Sequence, residues 1–260
     1  MGITLTWLAL IVLLPLAALA LRAGGLGLSG FVAVGFSPRA LAAYRLSFGT
    51  AAAAAGINAV AGLLIAWVLV RYRFPGQRVI GALVDLPFAL PTAVAGIAMT
   101  ALYTAHGWIG SRAEALGVHI AFTPLGITLA LVFIGLPFVV RSVEPVLADM
   151  SGELEEAAAT LGATPLESFA RVVLPGIAPA LLTGFALAFA RGVGEYGSVI
   201  FIAGNMPGRT EIAPLLIVTQ LEQYNYAGAT AIATVMMAAS FALLFVINRL
   251  QGLIRRGYAA

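Results

Sequence analysis

Long apolar runs with few charged residues recur along the chain. Six of them cover residues 5–21, 46–70, 79–104, 122–140, 177–202 and 226–248. Each is close to the ~20 residues that an α-helix needs to cross about 30 Å of hydrocarbon. The pattern therefore predicts six transmembrane helices. The first run is kept as a span because no basic segment precedes it, as one would in a secretory signal peptide.

The segment between the fourth and fifth runs has a different periodicity. Apolar residues recur at helical spacing on one face and polar residues share the other; they are Leu154, Ala157, Ala158 and Leu161, against Glu153, Glu156 and Thr160. This pattern predicts a short amphipathic helix that ends at Gly162. Thr164 and Glu167 have the spacing of a capping box, with Pro165 at the first helical position, and they predict a second short helix.

The second short helix carries further local signals. Glu167 and Arg171 can pair at i, i+4, and Pro175 is predicted to mark entry into the fifth span. A linker lying on the bilayer is one interpretation of these two helices. Helices that bind an anionic membrane surface usually carry a basic polar face, whereas the face of the first helix is acidic, which favours a partner protein with basic groups.

The composition agrees with a membrane protein and excludes several kinds of chemistry. The chain is 61% hydrophobic and 10% charged over 260 residues, all fourteen basic residues are arginine, and there is no cysteine. A P-loop needs a lysine to reach the phosphates of ATP, and thiolate metal sites need cysteine. We therefore expect no cofactor or metal in this chain. His106 and His119 lie outside the apolar runs, which also disfavours an intramembrane enzyme.

The arginines indicate an orientation. With a cytoplasmic N-terminus, eight fall on the inner side and five on the outer side. The inner ones are Arg71, Arg73, Arg78, Arg141, Arg171, Arg249, Arg255 and Arg256; the outer ones are Arg22, Arg39, Arg45, Arg112 and Arg209. The positive-inside rule then places both termini in the cytoplasm.

Prolines and small residues shape the predicted helices. Pro87 and Pro91 lie four residues apart in the third run and are both predicted to bend it, either to line a pathway or only to pack. Small residues across 47–62 predict close contact between the second helix and its neighbours.

The segment before the second helix, residues 24–44, is rich in glycine. We interpret it as an interfacial segment that leads to an N-cap at Ser37 and Pro38. Gly27-Leu28-Ser29-Gly30 in this segment matches the nucleophile signature of rhomboid-type proteases. Because no apolar run supplies a histidine base, a flexible loop is the better interpretation of these glycines.

Arg191 and Glu195 are charged residues inside the fifth run. If that span starts near Ala178, Arg191 lies about 20 Å deep, where a charged side chain costs on the order of 2.5 to 3.5 kcal/mol to insert. Both side chains must therefore face protein or water. Two interpretations stay open: an i, i+4 ion pair that fixes this helix against a neighbour, or a pair that borders an anion pathway.

The polar segment carries a long motif that resembles a known family. Glu156-Ala157-Ala158, three residues, Gly162, nine residues and Val172-Val173-Leu174-Pro175 are similar to the EAA signature of permease subunits of ABC importers, with Val for the usual Ile. The resemblance implies an all-α membrane protein of the type I importer permease architecture. It also implies that this segment is the coupling helix that docks on a separate ATPase.

Further stretches narrow the resemblance to the T-type permease of the sulfate/thiosulfate importer, from about residue 40 to 250. They are "YRLSFGT", "RYRFPGQRVIGALVDLPFALPTAVAGIA", "GLPFVVR", "LEEAAATLGA", "ALAFARGVGEYGSVIFIAGNMPG", "TEIAPLLI" and "LEQYNYAGATAIA". Molybdate and tungstate permeases share part of them, so such a permease is the alternative. An ion-coupled secondary transporter is a more distant one, because only Glu195 and Asp85 qualify as intramembrane carboxylates.

What the resemblance implies is a complex in the bacterial inner membrane. Its other parts are a W-type sibling permease, two ATP-binding cassette subunits that bind ATP and Mg, and a periplasmic substrate-binding protein; sulfate or thiosulfate is the cargo, and no nucleic acid is involved. The expected ATPase-coupling residues are Glu156, Ala157, Ala158, Gly162, Leu174 and Pro175. The expected pathway residues are Arg191, Glu195, Ser198, Asn205, Arg209 and Thr210.

The chain is accordingly expected to have three parts. Residues 1–45 hold the first helix and the interfacial segment, and residues 46–250 form the permease core, with the coupling loop at 149–175. Residues 251–260 form a cytoplasmic tail.

Overall fold

The computed structural model describes residues 2–257, which form fourteen α-helices joined by short connections, with two π-helical turns. The helices are α1 (Gly2–Leu8), α2 (Leu14–Gly24), α3 (Gly27–Gly35), α4 (Pro38–Arg71), α5 (Gln77–Ala89), α6 (Thr92–Tyr103), α7 (Gly110–Ala115), α8 (Pro124–Asp149), α9 (Glu153–Thr160), α10 (Pro165–Ser168), α11 (Leu174–Val193), α12 (Val199–Ala203), α13 (Ala213–Glu222) and α14 (Tyr226–Gly257). The π turns are Ala9–Leu13 and Phe169–Val173. Of the predicted tail, residues 251–257 continue α14, and residues 258–260 lie outside the described residues.

Five of the six predicted spans are long apolar helical stretches: Thr4–Gly24, Pro38–Arg71, Pro124–Asp149, Pro165–Val193 and Tyr226–Arg249. The third run forms two helices instead, α5 and α6, and the chain bends by 110° between them. The chain passes through Pro87 inside α5 and breaks at Leu90 and Pro91. Leu90 has the extended backbone that a following proline favours, so Pro91 marks the break.

The fifth span differs from the prediction at both ends. It was expected over residues 177–202, but the helical stretch starts at Pro165 and α11 ends at Val193. Pro175 therefore lies inside the helix and does not mark its start. The π turn just before Pro175 includes Arg171, whose carbonyl would meet the proline ring in a regular α-helix, and this wider turn lets the helix continue.

Helices α4, α8 and α11 form the tightly packed centre of the bundle. A Cβ atom on Gly62 of α4 would lie 2.8 Å from Val139 Cγ1 of α8, and one on Gly184 of α11 would lie 2.7 Å from Val139 Cα. The predicted close packing of the small residues in α4 is thus confirmed. Asn58 is fully buried in this centre, and neither its oxygen nor its nitrogen has a hydrogen-bond partner in the described chain.

The glycine-rich segment before α4 is more regular than expected. Residues 27–35 form α3, so the flexible loop predicted there is wrong. Ser37 does cap α4, because its Oγ accepts a hydrogen bond from the Ala40 N–H at 3.3 Å, and Pro38 is the first helical residue. Helix α4 therefore starts at residue 38, before the apolar run that begins near residue 46.

The two ends of α4 define the two sides of the bundle. We call them the Arg39 side, which also contains the segment 204–212, and the Arg71 side, which also contains α9.

Candidate functional site

Helix α9 projects from the Arg71 side with an acidic first turn. Glu153, Glu155 and Glu156 all lie in that turn, where the helix dipole favours negative charge. The helix has no buried residue, and Leu161 just after it is 89% exposed. The predicted amphipathic helix thus exists, but its apolar face is not covered by the described part of this chain.

The joint between α9 and α10 is built as the local sequence predicts. Gly162 has a φ of +87°, a left-handed conformation that favours glycine. Thr164 and Glu167 form the capping box: the Glu167 carboxylate accepts hydrogen bonds at 2.9 Å from both the N–H and the hydroxyl of Thr164. The expected ion pair between Glu167 and Arg171 does not form. Leu174 and Pro175 lie further along, in the first turn of α11.

Glu155, which the sequence pattern did not single out, links α9 to the end of α4. Its Oε1 lies 2.5 Å from Nη2 of Arg71. The Arg71 guanidinium carbon lies 5.6 Å from the centroid of the Trp67 ring, and Trp67 meets Phe169 edge to face at 5.4 Å. Arg71 and Glu155 are 84 positions apart in the chain, so no local spacing could have indicated this pair.

A second arginine joins α5 to α8. The Arg141 guanidinium donates to both carboxylate oxygens of Asp85, at 2.8 and 2.5 Å, and to the carbonyl of Gly81 at 3.0 Å, and it also pairs with Glu144. Asp85 is therefore a paired, 44% exposed side chain. This pairing removes it from the set of buried carboxylates on which a secondary transporter would depend.

Arg191 and Glu195 form the predicted ion pair, although not within one helix. Glu195 follows the end of α11 and is buried, while the Arg191 side chain is 36% exposed. Oε1 of Glu195 also accepts hydrogen bonds from the Ser198 N–H at 2.9 Å and from the Ser198 hydroxyl at 3.0 Å. The structure thus brings together Arg191, Glu195 and Ser198.

The break after α11 packs against the break between α5 and α6. A Cβ atom on Gly96 of α6 would lie 2.4 Å from the Ser198 carbonyl oxygen. A Cβ atom on Gly197 would lie 2.2 Å from the Thr92 hydroxyl oxygen, at the start of α6. Two interrupted helices therefore meet beside the Arg191–Glu195 pair, with glycines at the points of closest approach.

The other three predicted pathway residues belong to a separate turn on the Arg39 side. Asn205 and Gly208 both have positive φ values, 45° and 72°, so the turns expected there are confirmed. Arg209 is exposed. Thr210 is instead buried, and its hydroxyl accepts a hydrogen bond from the Met206 N–H at 3.0 Å, which closes the turn.

Glu211, the next residue, is another long-range partner that sequence reasoning missed. It is buried and accepts two hydrogen bonds from Arg39, from Nε at 2.7 Å and from Nη2 at 2.6 Å. Next to it, the Ala213 N–H donates to the Ser47 hydroxyl at 2.8 Å. The segment 204–212 is thus fixed to the first turns of α4.

Comparison with known proteins agrees with this architecture. Residues 58–259 match the family described as binding-protein-dependent transport system inner membrane component. The sulfate transport system permease protein CysT of Synechococcus elongatus is 52% identical over 248 residues, covering 95% of this chain and 89% of that protein. The protein of the same name in Escherichia coli is 47% identical over 251 residues, covering 96% and 91%.

Solved structures show the same fold at low sequence identity. The crystal structure of a bacterial ABC transporter involved in the import of the acidic polysaccharide alginate contains a chain with a TM-score of 0.79 and 15% identity, covering 96% of this chain and 93% of that one. A chain of the MetNI methionine ABC transporter has a TM-score of 0.53 and 22% identity, covering 81% and 94%. The protein is therefore an all-α, multi-pass membrane subunit with the type I permease fold, and it belongs to the family of binding-protein-dependent transport system inner membrane components.

Proposed function

We propose that this chain is the membrane-spanning permease of an ATP-driven importer that carries sulfate, and thiosulfate, across the inner membrane. The observation that carries this proposal is the similarity, 47–52% identical over nearly the whole chain, to proteins named sulfate transport system permeases. Stretches shared with molybdate permeases cover only parts of the chain, so they do not favour that alternative. The chain itself is a transport subunit and not an enzyme.

The proposed partners are two ATP-binding cassette subunits, a W-type sibling permease and a periplasmic substrate-binding protein. ATP and Mg bind to the cassette subunits, since this chain has no lysine for a P-loop. We place the Arg71 side in the cytoplasm, together with both termini. The arginine-rich segment 71–78 on that side supports this orientation.

The proposed docking site for the ATPase is α9 with its joint. Glu156 is exposed and available to a basic partner, and Ala157 and Ala158 keep the helix narrow enough to enter a groove. Gly162 sets the angle between α9 and α10, and Leu174 and Pro175 continue that segment into α11. Closure of the cassette subunits on ATP then moves α9, and α11 transmits the movement to the core, which opens to the opposite side.

The proposed anion pathway passes the two helix breaks. Arg191 is partly exposed and offers positive potential to a doubly charged anion, and the buried Glu195 limits how tightly the anion binds, so that release stays possible. Ser198 fixes the Glu195 carboxylate in place. Asn205 and Arg209 lie at the mouth, and Thr210 holds the turn that presents them.

Uptake of radiolabelled sulfate tests the proposed function. A strain that lacks its own sulfate importer is complemented with this chain and its partners, and unlabelled thiosulfate or molybdate is added as competitor. ATP-dependent uptake that thiosulfate suppresses and molybdate does not is the expected result. Suppression mainly by molybdate would assign the chain to the other oxyanion, and absence of uptake would refute the proposal.

The coupling role of the α9 joint has a matched test. Glu156→Ala and Gly162→Ala should both reduce uptake and substrate-stimulated ATPase activity, because one removes a docking charge and the other strains a left-handed backbone position. Gly152→Ala is the control, since Gly152 has a helical φ of −62° and a Cβ atom there meets no other atom within 4 Å. Unchanged coupled ATPase activity in the first two variants would contradict the assignment.

A further inference from the structure

We infer that Arg71 and Trp67, one turn apart at the end of α4, position the coupling loop relative to the membrane core. Arg71 binds Glu155 of α9, and Trp67 contacts Phe169 of the π turn. These two contacts lie on opposite sides of the Gly162 joint. Both arms of the loop are therefore connected to the same turn of α4, which we call the Arg71–Trp67 strut.

Other packing between the loop and α4 is sparse. An open apolar groove of about 560 Å³ runs between α4 and the segment that follows the joint; its walls include Leu63, Leu64, Leu166 and Leu181. No residue of α9 is fully buried. The Glu155–Arg71 bond is thus a direct polar link between α9 and α4 in a region where the two helices pack little against each other.

The side chains of α9 divide between two directions. Glu155 and Glu156 are adjacent, so they project about 100° apart around the helix. Glu155 points to α4 and is 30% exposed, whereas Glu156 is open to a partner. The helix can therefore bind Arg71 through Glu155 and dock on the ATPase through Glu156 at the same time.

The bond between Arg71 and Glu155 uses Nη2 and leaves the Nε donor of Arg71 unpaired. Nε of Arg71 is buried without a hydrogen-bond partner. In the Arg39–Glu211 pair, the carboxylate accepts from both Nε and Nη2. A shift of α9 that brings the second Glu155 oxygen to Nε would complete the same two-bond geometry, so the strut can hold α9 in two positions.

Spin-label distances test the strut. This chain has no cysteine, so Gly152→Cys before α9 and Tyr72→Cys after α4 provide its two labelling sites, both exposed, in an importer whose other subunits carry no reactive cysteine. Pulsed EPR on the assembled importer in nanodiscs, with and without ATP, gives the distance distribution between them. Arg71→Gln and Glu155→Gln should each broaden it about twofold, and the double variant no further, because the two residues act as one pair.

Further variants show whether a broader distribution comes from the lost contact between α9 and α4 or only from the loss of a charge. The reversal Arg71→Glu with Glu155→Arg should restore a narrow distribution, and Trp67→Phe should preserve it while Trp67→Leu broadens it. Arg73→Gln is the matched control, because Arg73 is exposed and has no ion pair among the described residues. Distributions that stay narrow in Arg71→Gln and Glu155→Gln would overturn the inference, as would a double variant whose effect is the sum of the two.

Transport per ATP hydrolysed gives a second readout, which rests on the proposed function. It should fall about fivefold in Arg71→Gln and Glu155→Gln and to the same level in the double variant. An unchanged ratio in these variants would contradict the strut. A wild-type complex that imports no sulfate would instead refute the proposed function, and the EPR measurement, which needs no substrate, would still decide on the strut.

Discussion

Helix α4 is held at its two ends by arginine–carboxylate pairs of different kinds. On the Arg39 side, Glu211 accepts two hydrogen bonds, and its side chain is 1% exposed. On the Arg71 side, Glu155 makes one bond to Arg71, and the two side chains are 30% and 21% exposed. Arg39 itself is 40% exposed, so the contrast lies in the carboxylates and in the number of bonds. A buried carboxylate with two hydrogen bonds stabilises one geometry, whereas a single bond to a partly exposed carboxylate gives way at lower cost.

The surroundings of the two pairs differ in the same sense. Near Arg39, the Tyr44 hydroxyl donates to the Ile232 carbonyl at 3.2 Å, and Ser47 binds the Ala213 N–H. Near Arg71, α9 has no fully buried residue, and an open groove lies between α4 and the segment that follows the joint. The fold therefore closes one end of the bundle and leaves the other end adjustable, which suits a subunit driven from the Arg71 side.

Arg39→Gln should have the largest effect on stability. It leaves the buried Glu211 carboxylate without its cation. Because Arg39 is 40% exposed, the free energy of unfolding should fall by about 3 kcal/mol, the low end of the range for buried pairs. SDS-induced unfolding followed by circular dichroism measures the loss. An unfolding curve that matches the wild type would show that the Arg39 side is not the rigid end.

Gly96→Ala should have the next largest effect. The added methyl group would lie 2.4 Å from the Ser198 carbonyl oxygen, and such overpacking costs about 2 kcal/mol. Gly49→Ala is the matched control, since a Cβ atom at Gly49 of α4 meets no other atom within 4 Å. Equal free energies of unfolding for the two variants would show that the helix breaks beside Glu195 are not tightly packed at Gly96.

The sequence predicted those features whose partners are close together along the chain. The apolar runs indicated five long apolar helices, and the Ser37 cap and the Thr164 capping box follow from residues within three positions of one another. The pairs that set the two ends of α4 apart join residues 172 and 84 positions apart, so only the folded bundle reveals them. The break after Val193 was missed because the apolar run continues through it, while the helix ends at Val193 with Gly194 as its C-cap, and Ser198 donates to Glu195.

Arg71→Gln should have the smallest effect on stability of the three variants. Both partners are partly hydrated, and pairs of this kind contribute less than about 1 kcal/mol, so the free energy of unfolding should fall by no more than that. The measurement is the same SDS titration, with Arg73→Gln as the control. A loss as large as that of Arg39→Gln would mean that both ends of α4 are rigid. A small loss together with reduced transport per ATP would identify Arg71 as a residue that serves the movement of α9 more than the stability of the bundle.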